Sequence, residues 1–202
     1  MTIIDCFGGN MLFYGLIGLF RASIYGFKYK MTKQLFLGKK VRFNKDSDIQ
    51  ITESGNLRIG TRCSFSKGAH IGVSGNGNLQ IGDNCFFNQN SLVACRNSIV
   101  IGNQCIFGPN VTVYDHDHKF SFNGIQNGYN LSPVVIEEGC WIGANVMILR
   151  GTHIGEKSVI GAGCVVKGDI PPHSLVSGER TLKIRPIEDR GKDPQSEDGE
   201  HV

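Results

Sequence analysis

The stretch Ile136-Glu137-Glu138-Gly139-Cys140-Trp141, followed by Ile142-Gly143-Ala144-Asn145-Val146-Met147, opens a run of similar hexapeptides that continues to Val165. An isoleucine stands at the first position of each hexapeptide, and a small or β-branched residue stands at the fifth. An α-helix does not suit this spacing, because its period of 3.6 residues would spread the isoleucines around its surface. The pattern instead predicts one short strand and one turn per hexapeptide, stacked as a parallel β-helix.

The same pattern recurs less regularly toward the N-terminus. Ile59, Ile81 and Ile101 are each followed by glycine, and polar inserts such as residues 74–78 separate some repeats. Independent antiparallel strands would not keep a fixed six-residue phase, so we predict an all-β solenoid with loops at its corners. The predicted organisation is a helical, basic N-terminal segment (1–40), the repeat domain (41–176) with an interrupting loop at about 114–133, a C-terminal extension (177–187) and a disordered tail (188–202).

Cysteine follows the repeat as well. Five of the seven cysteines stand four places after a repeat isoleucine, where a small apolar side chain faces the core: Cys63, Cys85, Cys105, Cys140 and Cys164. No two cysteines are spaced as in zinc ribbons or thioredoxin-type sites. We therefore interpret them as reduced core residues, which favours a cytoplasmic protein.

Charge is uneven along the chain although its net value is only +3. The sequence contains no basic stripe with interleaved aromatic residues, which argues against a nucleic-acid-binding protein. The N-terminal region combines an apolar stretch at 11–20, too short to span a bilayer, with a concentration of lysine and arginine. Two interpretations remain open. The segment covers the open end of the β-helix, or it rests on an anionic membrane surface at the inner face of the membrane.

The repeat is broken once, at Tyr114-Asp115-His116-Asp117-His118, and a polar, glycine-rich stretch follows before the repeats resume near Val134. A loop that interrupts a regular solenoid is a common place for a functional site. In an extended strand His116 and His118 would share one face, and Asp115 and Asp117 would share the other. A histidine beside a carboxylate is a common general-base arrangement.

The repeats, this loop and the segment from Pro133 to Pro172 resemble the hexapeptide-repeat acyltransferases, and most closely the sugar O-acetyltransferases. The resemblance rests on the stretches 133–146, 160–166 and 169–172 and covers about two thirds of the chain. It implies a left-handed parallel β-helix, a homotrimer with active sites between subunits, and acetyl-CoA as the acyl donor, with no metal required.

The resemblance also suggests site residues. Counting from Val111 as in the galactoside and maltose enzymes makes His118 the general base, with His116 as second choice and Asp115 and Asp117 as residues that orient either ring. The acceptor-binding residues would be Asn88 and Tyr114, although Asn88 could instead be a corner residue with positive φ. The coenzyme-binding residues would be Trp141, Gly143, Ala144, Ala162, Lys167, Lys183 and Arg185.

The function implied is transfer of an acetyl group to a sugar hydroxyl of a capsular, exopolysaccharide or O-antigen glycan or its precursor. No serine or cysteine nucleophile motif is present, so direct transfer is expected rather than a covalent enzyme intermediate. Two alternatives remain. One is a metalloenzyme of the γ-carbonic anhydrase type, which needs three histidines on zinc. The other is an inactive β-helix scaffold.

Overall fold

The computed structural model describes residues 11–29 and 33–178. One helix, α1 (Met11–Lys28), precedes all the strands. In chain order the strands are β1 (Leu35–Leu37), β2 (Arg42–Phe43), β3 (Asp48–Ile51), β4 (Asn56–Ile59), β5 (Ser64–Phe65), β6 (His70–Val73), β7 (Asn78–Ile81), β8 (Phe86–Phe87), β9 (Leu92–Cys95), β10 (Ser98–Ile101), β11 (Ile106–Phe107), β12 (Thr112–Tyr114), β13 (His116–Ser121), β14 (Gly124–Leu131), β15 (Val134–Ile136), β16 (Trp141–Ile142), β17 (Met147–Ile148), β18 (His153–Ile154), β19 (Val159–Ile160), β20 (Val165–Val166), β21 (Asp169–Ile170) and β22 (Leu175–Val176).

Successive strands form the sides of triangular coils. Every third strand pairs in parallel, which gives a first sheet β1-β4-β7-β10-β15-β18-β21, a second sheet β2-β5-β8-β11-β16-β19-β22 and a third sheet β3-β6-β9-β12-β17-β20. Leu57 pairs with Leu79, and Ile99 pairs with Val134 across the interruption. The predicted parallel β-helix is therefore confirmed.

The repeat positions face inward as predicted. The isoleucines that open the five hexapeptides are fully buried, and so are the residues at the fifth position apart from 6% exposure at Cys164. The six cysteines among the described residues are buried and unpaired in disulfides. Each thiol of the column Cys63, Cys85, Cys105 and Cys140 donates to a backbone carbonyl of the next coil, at 3.0 to 3.3 Å.

A column of phenylalanines fills the N-terminal half of the core along the second sheet. The rings of Phe43, Phe65, Phe87 and Phe107 are stacked nearly parallel, with centroids 4.6, 4.8 and 4.4 Å apart. All four are 0% exposed. Isoleucines continue the same inward row at Ile142 and Ile160. The N-terminal half of the solenoid is thus held by aromatic stacking, and the C-terminal half by aliphatic packing.

The corners explain the irregular spacing of the earlier repeats. β6 and β7 are separated by a tight polar turn at 74–77, so these coils are longer than the regular ones near the C-terminus. At the corner between the second and third sheets, Asn90, Asn110 and Asn145 have φ near 57° and their side chains bond to one another at 3.2 and 3.0 Å. Asparagine tolerates this left-handed conformation better than most residues. The positive φ considered for Asn88 therefore falls on Asn90 instead.

Helix α1 packs against the first coil. The Tyr25 ring meets Phe43 edge-on at 5.1 Å, and the hydroxyl of Tyr25 donates to the carbonyl of Ser47 at 3.1 Å. A Cβ on Gly18 would lie only 3.2 Å from the Cβ of Arg42, so glycine permits the close approach. The helix therefore lies at the N-terminal end of the phenylalanine stack, the position that one of the two interpretations of this segment gave it. In the described part of the chain, no helix has the length and apolar character needed to cross a membrane.

Candidate active site

The interruption of the repeat is a β-hairpin that projects from the solenoid. β13 and β14 pair antiparallel, so the predicted loop is itself regular structure. The hairpin leaves the corner between the third and first sheets, after β12, and the chain re-enters the solenoid at β15. Its base is closed by the Ser132 amide, which donates to the carbonyl of Asp115 at 3.0 Å. This places the two histidines at the point where the chain leaves the coil.

A buried carboxylate holds the first of these histidines. Asp115 is 0% exposed, and its oxygens accept from the backbone amides of Arg96 and Asn97 at 2.8 to 3.1 Å. Asp115 Oδ1 also lies 2.8 Å from Nδ1 of His116, whose side chain is 16% exposed. Because an ionised carboxylate only accepts, Nδ1 must carry a proton. In the neutral ring, Nε2 is then the nitrogen that can take up a proton.

Tyrosine rings surround His116 and His118. Tyr129 on β14 meets His116 edge-on at 5.4 Å and packs at a tilt against His118 at 4.7 Å, so both histidines lie on one face as predicted. Tyr114 also meets His116 edge-on at 6.0 Å. The Arg96 guanidinium lies 4.0 Å from the centroid of Tyr129. His118 is exposed, and no carboxylate of the described residues fixes its ring.

Asp117 does not serve the role predicted for it. Its carboxylate forms an ion pair with Nε of Arg150, on the corner of the following coil, and contacts neither histidine ring. The sequence alone could not distinguish Asp115 from Asp117, because both are adjacent to His116. The fold distinguishes them. The Asp115 side chain is buried in the coil corner, whereas the Asp117 side chain links the hairpin to the following coil through Arg150.

The Cys95 thiol, which lies beside the Asp115 carboxylate, is not a nucleophile. Cys95 is 1% exposed. Its burial, and secondly the nearby Asp115 carboxylate, raises the pKa of the Cys95 thiol far above its usual range. The thiol therefore stays protonated at neutral pH, and a thiolate is the reactive form.

Three of the seven residues predicted to bind coenzyme lie on another corner of the triangle. Gly143, Ala144 and Ala162 follow strands of the second sheet and stack along the corner between the second and third sheets. Asn88 lies on that same corner, two coils before Gly143. Within one chain these residues are separated by the third sheet from the corner that carries His116.

The remaining predicted coenzyme residues are dispersed. Trp141 points outward from the second sheet and is 56% exposed. Lys167 is exposed on the corner column that also carries the hairpin. Lys183 and Arg185 lie outside the described residues. Two neighbouring backbone amides on this corner could stabilise an oxyanion. That of Gly143 already donates to the carbonyl of Ile160 at 2.8 Å, which leaves that of Ala144.

Three residues of the site were missed at the sequence level: Arg96, Tyr129 and Arg150. Tyr129 meets the histidines through pairing across the hairpin, whereas Arg150 meets Asp117, and Arg96 meets Tyr129 and Asp115, through stacking between coils. As for metals, the described part of the chain has no cluster of three or more histidine, cysteine, aspartate or glutamate side chains placed to hold an ion.

Comparison with known proteins finds the same hexapeptide repeats in two segments of this chain. Residues 133–168 match the bacterial transferase hexapeptide model (six repeats), and residues 78–115 match the hexapeptide repeat of succinyl-transferase. The two matched segments thus carry hexapeptide repeats of the transferase type, as the resemblance predicted.

Individual proteins and solved structures that are similar to this chain are acyltransferases. The chain is 40% identical over 104 residues to a galactoside O-acetyltransferase of Lactococcus lactis, covering 50% of each protein. It thus spans about half the length of the curated relatives it matches. A hexapeptide-repeat-containing acetyltransferase of Vibrio cholerae has a similar structure, with a TM-score of 0.50 at 26% identity over 83% of this chain and 81% of that one. The fold is also shared with AntD, an N-acyltransferase from Bacillus cereus, with a TM-score of 0.63 at 20% identity over 81% and 89% of the two chains.

Proposed function

We propose that this protein transfers an acetyl group from acetyl-CoA to a sugar hydroxyl, with His116 as the general base. The observation that carries this proposal is the bond from Nδ1 of His116 to the buried Asp115, which orients the ring and leaves Nε2 as the basic nitrogen. The similarity to a galactoside O-acetyltransferase supports a sugar acceptor. We further propose that the acceptor is a capsular, exopolysaccharide or O-antigen glycan or its precursor.

The reaction follows from this geometry. Nε2 of His116 removes the proton of the sugar hydroxyl as its oxygen attacks the thioester carbonyl. The tetrahedral oxyanion that forms needs a backbone donor. The Ala144 amide can supply it, whereas the neighbouring Gly143 amide already donates to Ile160. Collapse of the intermediate breaks the C–S bond, and the imidazolium returns its proton to the leaving sulfur. Burial of the Cys95 thiol supports direct transfer without an acyl-enzyme.

The separation of predicted coenzyme and histidine corners supports a site formed between subunits. In a single chain the third sheet lies between Gly143 and His116. The outward faces carry exposed apolar side chains that a neighbouring subunit would cover, among them Met147 at 40% and Val165 at 65%. The hairpin adds Phe120, Phe122 and Ile125, each at least 78% exposed. We therefore propose a homotrimer in which one chain supplies His116 and its neighbour the coenzyme corner.

The first test is release of free thiol from acetyl-CoA in the presence of a panel of acceptors. The panel contains monosaccharides and oligosaccharides, each matched with the corresponding amino sugar. We expect release that depends on a hydroxyl acceptor, with acetyl recovered as an ester. Acetyl recovered only as an amide would replace O-acetylation with N-acylation, and CO₂ hydration activity that requires zinc would support the metalloenzyme instead. A chain that neither binds coenzyme A nor releases thiol would be a scaffold.

The Asp115→Asn variant tests how His116 is positioned. The asparagine has one acceptor oxygen in place of two, so its NH₂ group must face a backbone or ring N–H that the carboxylate now satisfies. We expect kcat to fall by about tenfold or more, with the affinity for coenzyme A retained and the ¹⁵N shifts of His116 altered, as a change of tautomer requires. Asp117→Asn, which disturbs an ion pair away from the rings, is the matched control. Equal effects of the two variants on the His116 resonances would contradict the proposed role of Asp115.

A further inference from the structure

Helix α1 has two apolar faces, and only one of them touches the solenoid. The inner face, with Gly18, Ala22 and Tyr25, packs on the first coil. The opposite face carries four large side chains that stay exposed: Leu16 at 66%, Phe20 at 68%, Ile24 at 50% and Phe27 at 81%. Their spacing of four, four and three residues aligns them on one side of a helix with 3.6 residues per turn. We call these four residues the α1 outer face.

The α1 outer face has no role in holding the helix on the solenoid. Soluble surfaces rarely carry a continuous row of large apolar side chains, and such a row marks a binding surface. The helix is already fixed to the coil by Arg21 and Tyr25, which both donate to the carbonyl of Ser47, at 3.0 and 3.1 Å. The α1 outer face is therefore presented at the end of a rigid body and points away from it.

Charge around this end identifies the occupant. Between residues 6 and 45 the sequence contains no aspartate or glutamate. The same segment holds eight of the 21 basic residues: Arg21, Lys28, Lys30, Lys33, Lys39, Lys40, Arg42 and Lys45. The rest of the chain carries the other 13 basic residues against 18 acidic ones, so its net charge is negative. The net positive charge of the chain is thus contributed by the segment that contains the α1 outer face.

We propose that this end of the solenoid docks on an anionic lipid bilayer, with α1 lying in the plane of the interface. Apolar side chains enter the boundary between headgroups and acyl chains, while a basic collar faces the phosphates, which is the arrangement of interfacial helices. A second copy of the chain is a poorer occupant, because it would bring two strongly basic ends together. Docking does not depend on acyl transfer, and it would place the solenoid beside lipid-linked acceptors.

The apolar contribution is tested by co-sedimentation of the full chain with vesicles of phosphatidylcholine, with and without phosphatidylglycerol. We expect binding to the anionic vesicles only, and a loss of roughly tenfold or more in Phe20→Ser/Phe27→Ser. The control is Leu175→Ser, which removes a 73% exposed side chain from the last strand of the second sheet and should bind normally. An unchanged melting temperature shows that the α1 variant is folded. If it is not, Ile24→Ser alone takes its place.

The electrostatic contribution to vesicle binding is tested by two double variants that change the net charge equally. Lys28→Glu/Lys33→Glu should abolish most of the binding, whereas Lys67→Glu/Lys119→Glu, with the same change of net charge elsewhere, should retain it. Added salt should weaken the wild-type binding. Failure of the wild type to bind anionic vesicles, or equal binding to neutral ones, would overturn the proposal. So would self-association that Phe20→Ser/Phe27→Ser abolishes, since the occupant would then be a second copy.

Discussion

Replacement of His116 by alanine is expected to lower kcat for acetyl transfer by roughly 10²–10⁴-fold, the usual contribution of a general base. Nε2 of His116 is the nitrogen that the bond to Asp115 leaves free to take a proton. The affinity for acetyl-CoA should stay within about twofold, because the general base acts on the acceptor hydroxyl in the transition state and other residues hold the coenzyme. The measurement is steady-state thiol release, together with coenzyme binding by calorimetry.

His118→Ala is the control, and it distinguishes the geometric assignment from the one based on sequence counting. His118 is exposed and only packs against Tyr129, so its loss should act mainly on KM for the acceptor, by a few-fold. If His118→Ala abolishes turnover while His116→Ala retains it, the base is His118 and the Asp115–His116 pair is structural. Added imidazole should partly restore activity only in the variant that lacks the base.

Most of the solenoid could be predicted from the sequence because a six-residue period reports directly on which side chains face inward. Ile136 and Cys140, at the first and fifth positions of their hexapeptide, are buried as that period requires. The phenylalanine stack was not foreseen, because each phenylalanine stands about 20 residues from the next and is read singly as one core residue. Only the pairing of β5, β8 and β11 shows that the rings meet.

The candidate site was less predictable, since its contacts depend on register. Asn123-Gly124 is a strong signal for a tight hairpin turn. An unbroken register from a turn centred on these two residues would already place Tyr129 opposite His118. The structure instead turns at 122–123, so that Ser121 pairs with Gly124, and a register shift between His118 and Phe120 restores the pair of His118 and Tyr129. No residue pattern announces this combination of an earlier turn and a shift. Likewise, the burial of Asp115 follows from the amides of Arg96 and Asn97 on the preceding coil, which are remote in sequence.

Truncation of Phe87 to alanine is expected to destabilise the protein by about 3–5 kcal/mol, the range for removal of a large buried aromatic side chain. Phe87 is 0% exposed, and its ring is stacked on both sides, at 4.8 Å from Phe65 and 4.4 Å from Phe107. Its loss leaves a cavity between two rings that the flanking β-strands keep in place, so the column cannot close over it. The measurement is denaturant unfolding at fixed protein concentration, since subunit association would contribute to stability.

Two further variants separate stacking from hydrophobic burial. Phe87→Leu keeps an apolar side chain in the column and should lose less than half as much free energy as Phe87→Ala. Leu175→Ala removes a 73% exposed side chain from the last coil and should change the free energy of unfolding by no more than about 0.5 kcal/mol. A loss below about 1 kcal/mol in Phe87→Ala would mean that the coils relax into the space, and the phenylalanine column would then not be the element that holds the N-terminal half together. Because neighbouring coils stabilise one another, a large loss should also lower the protection of backbone amides in the coils on both sides of Phe87.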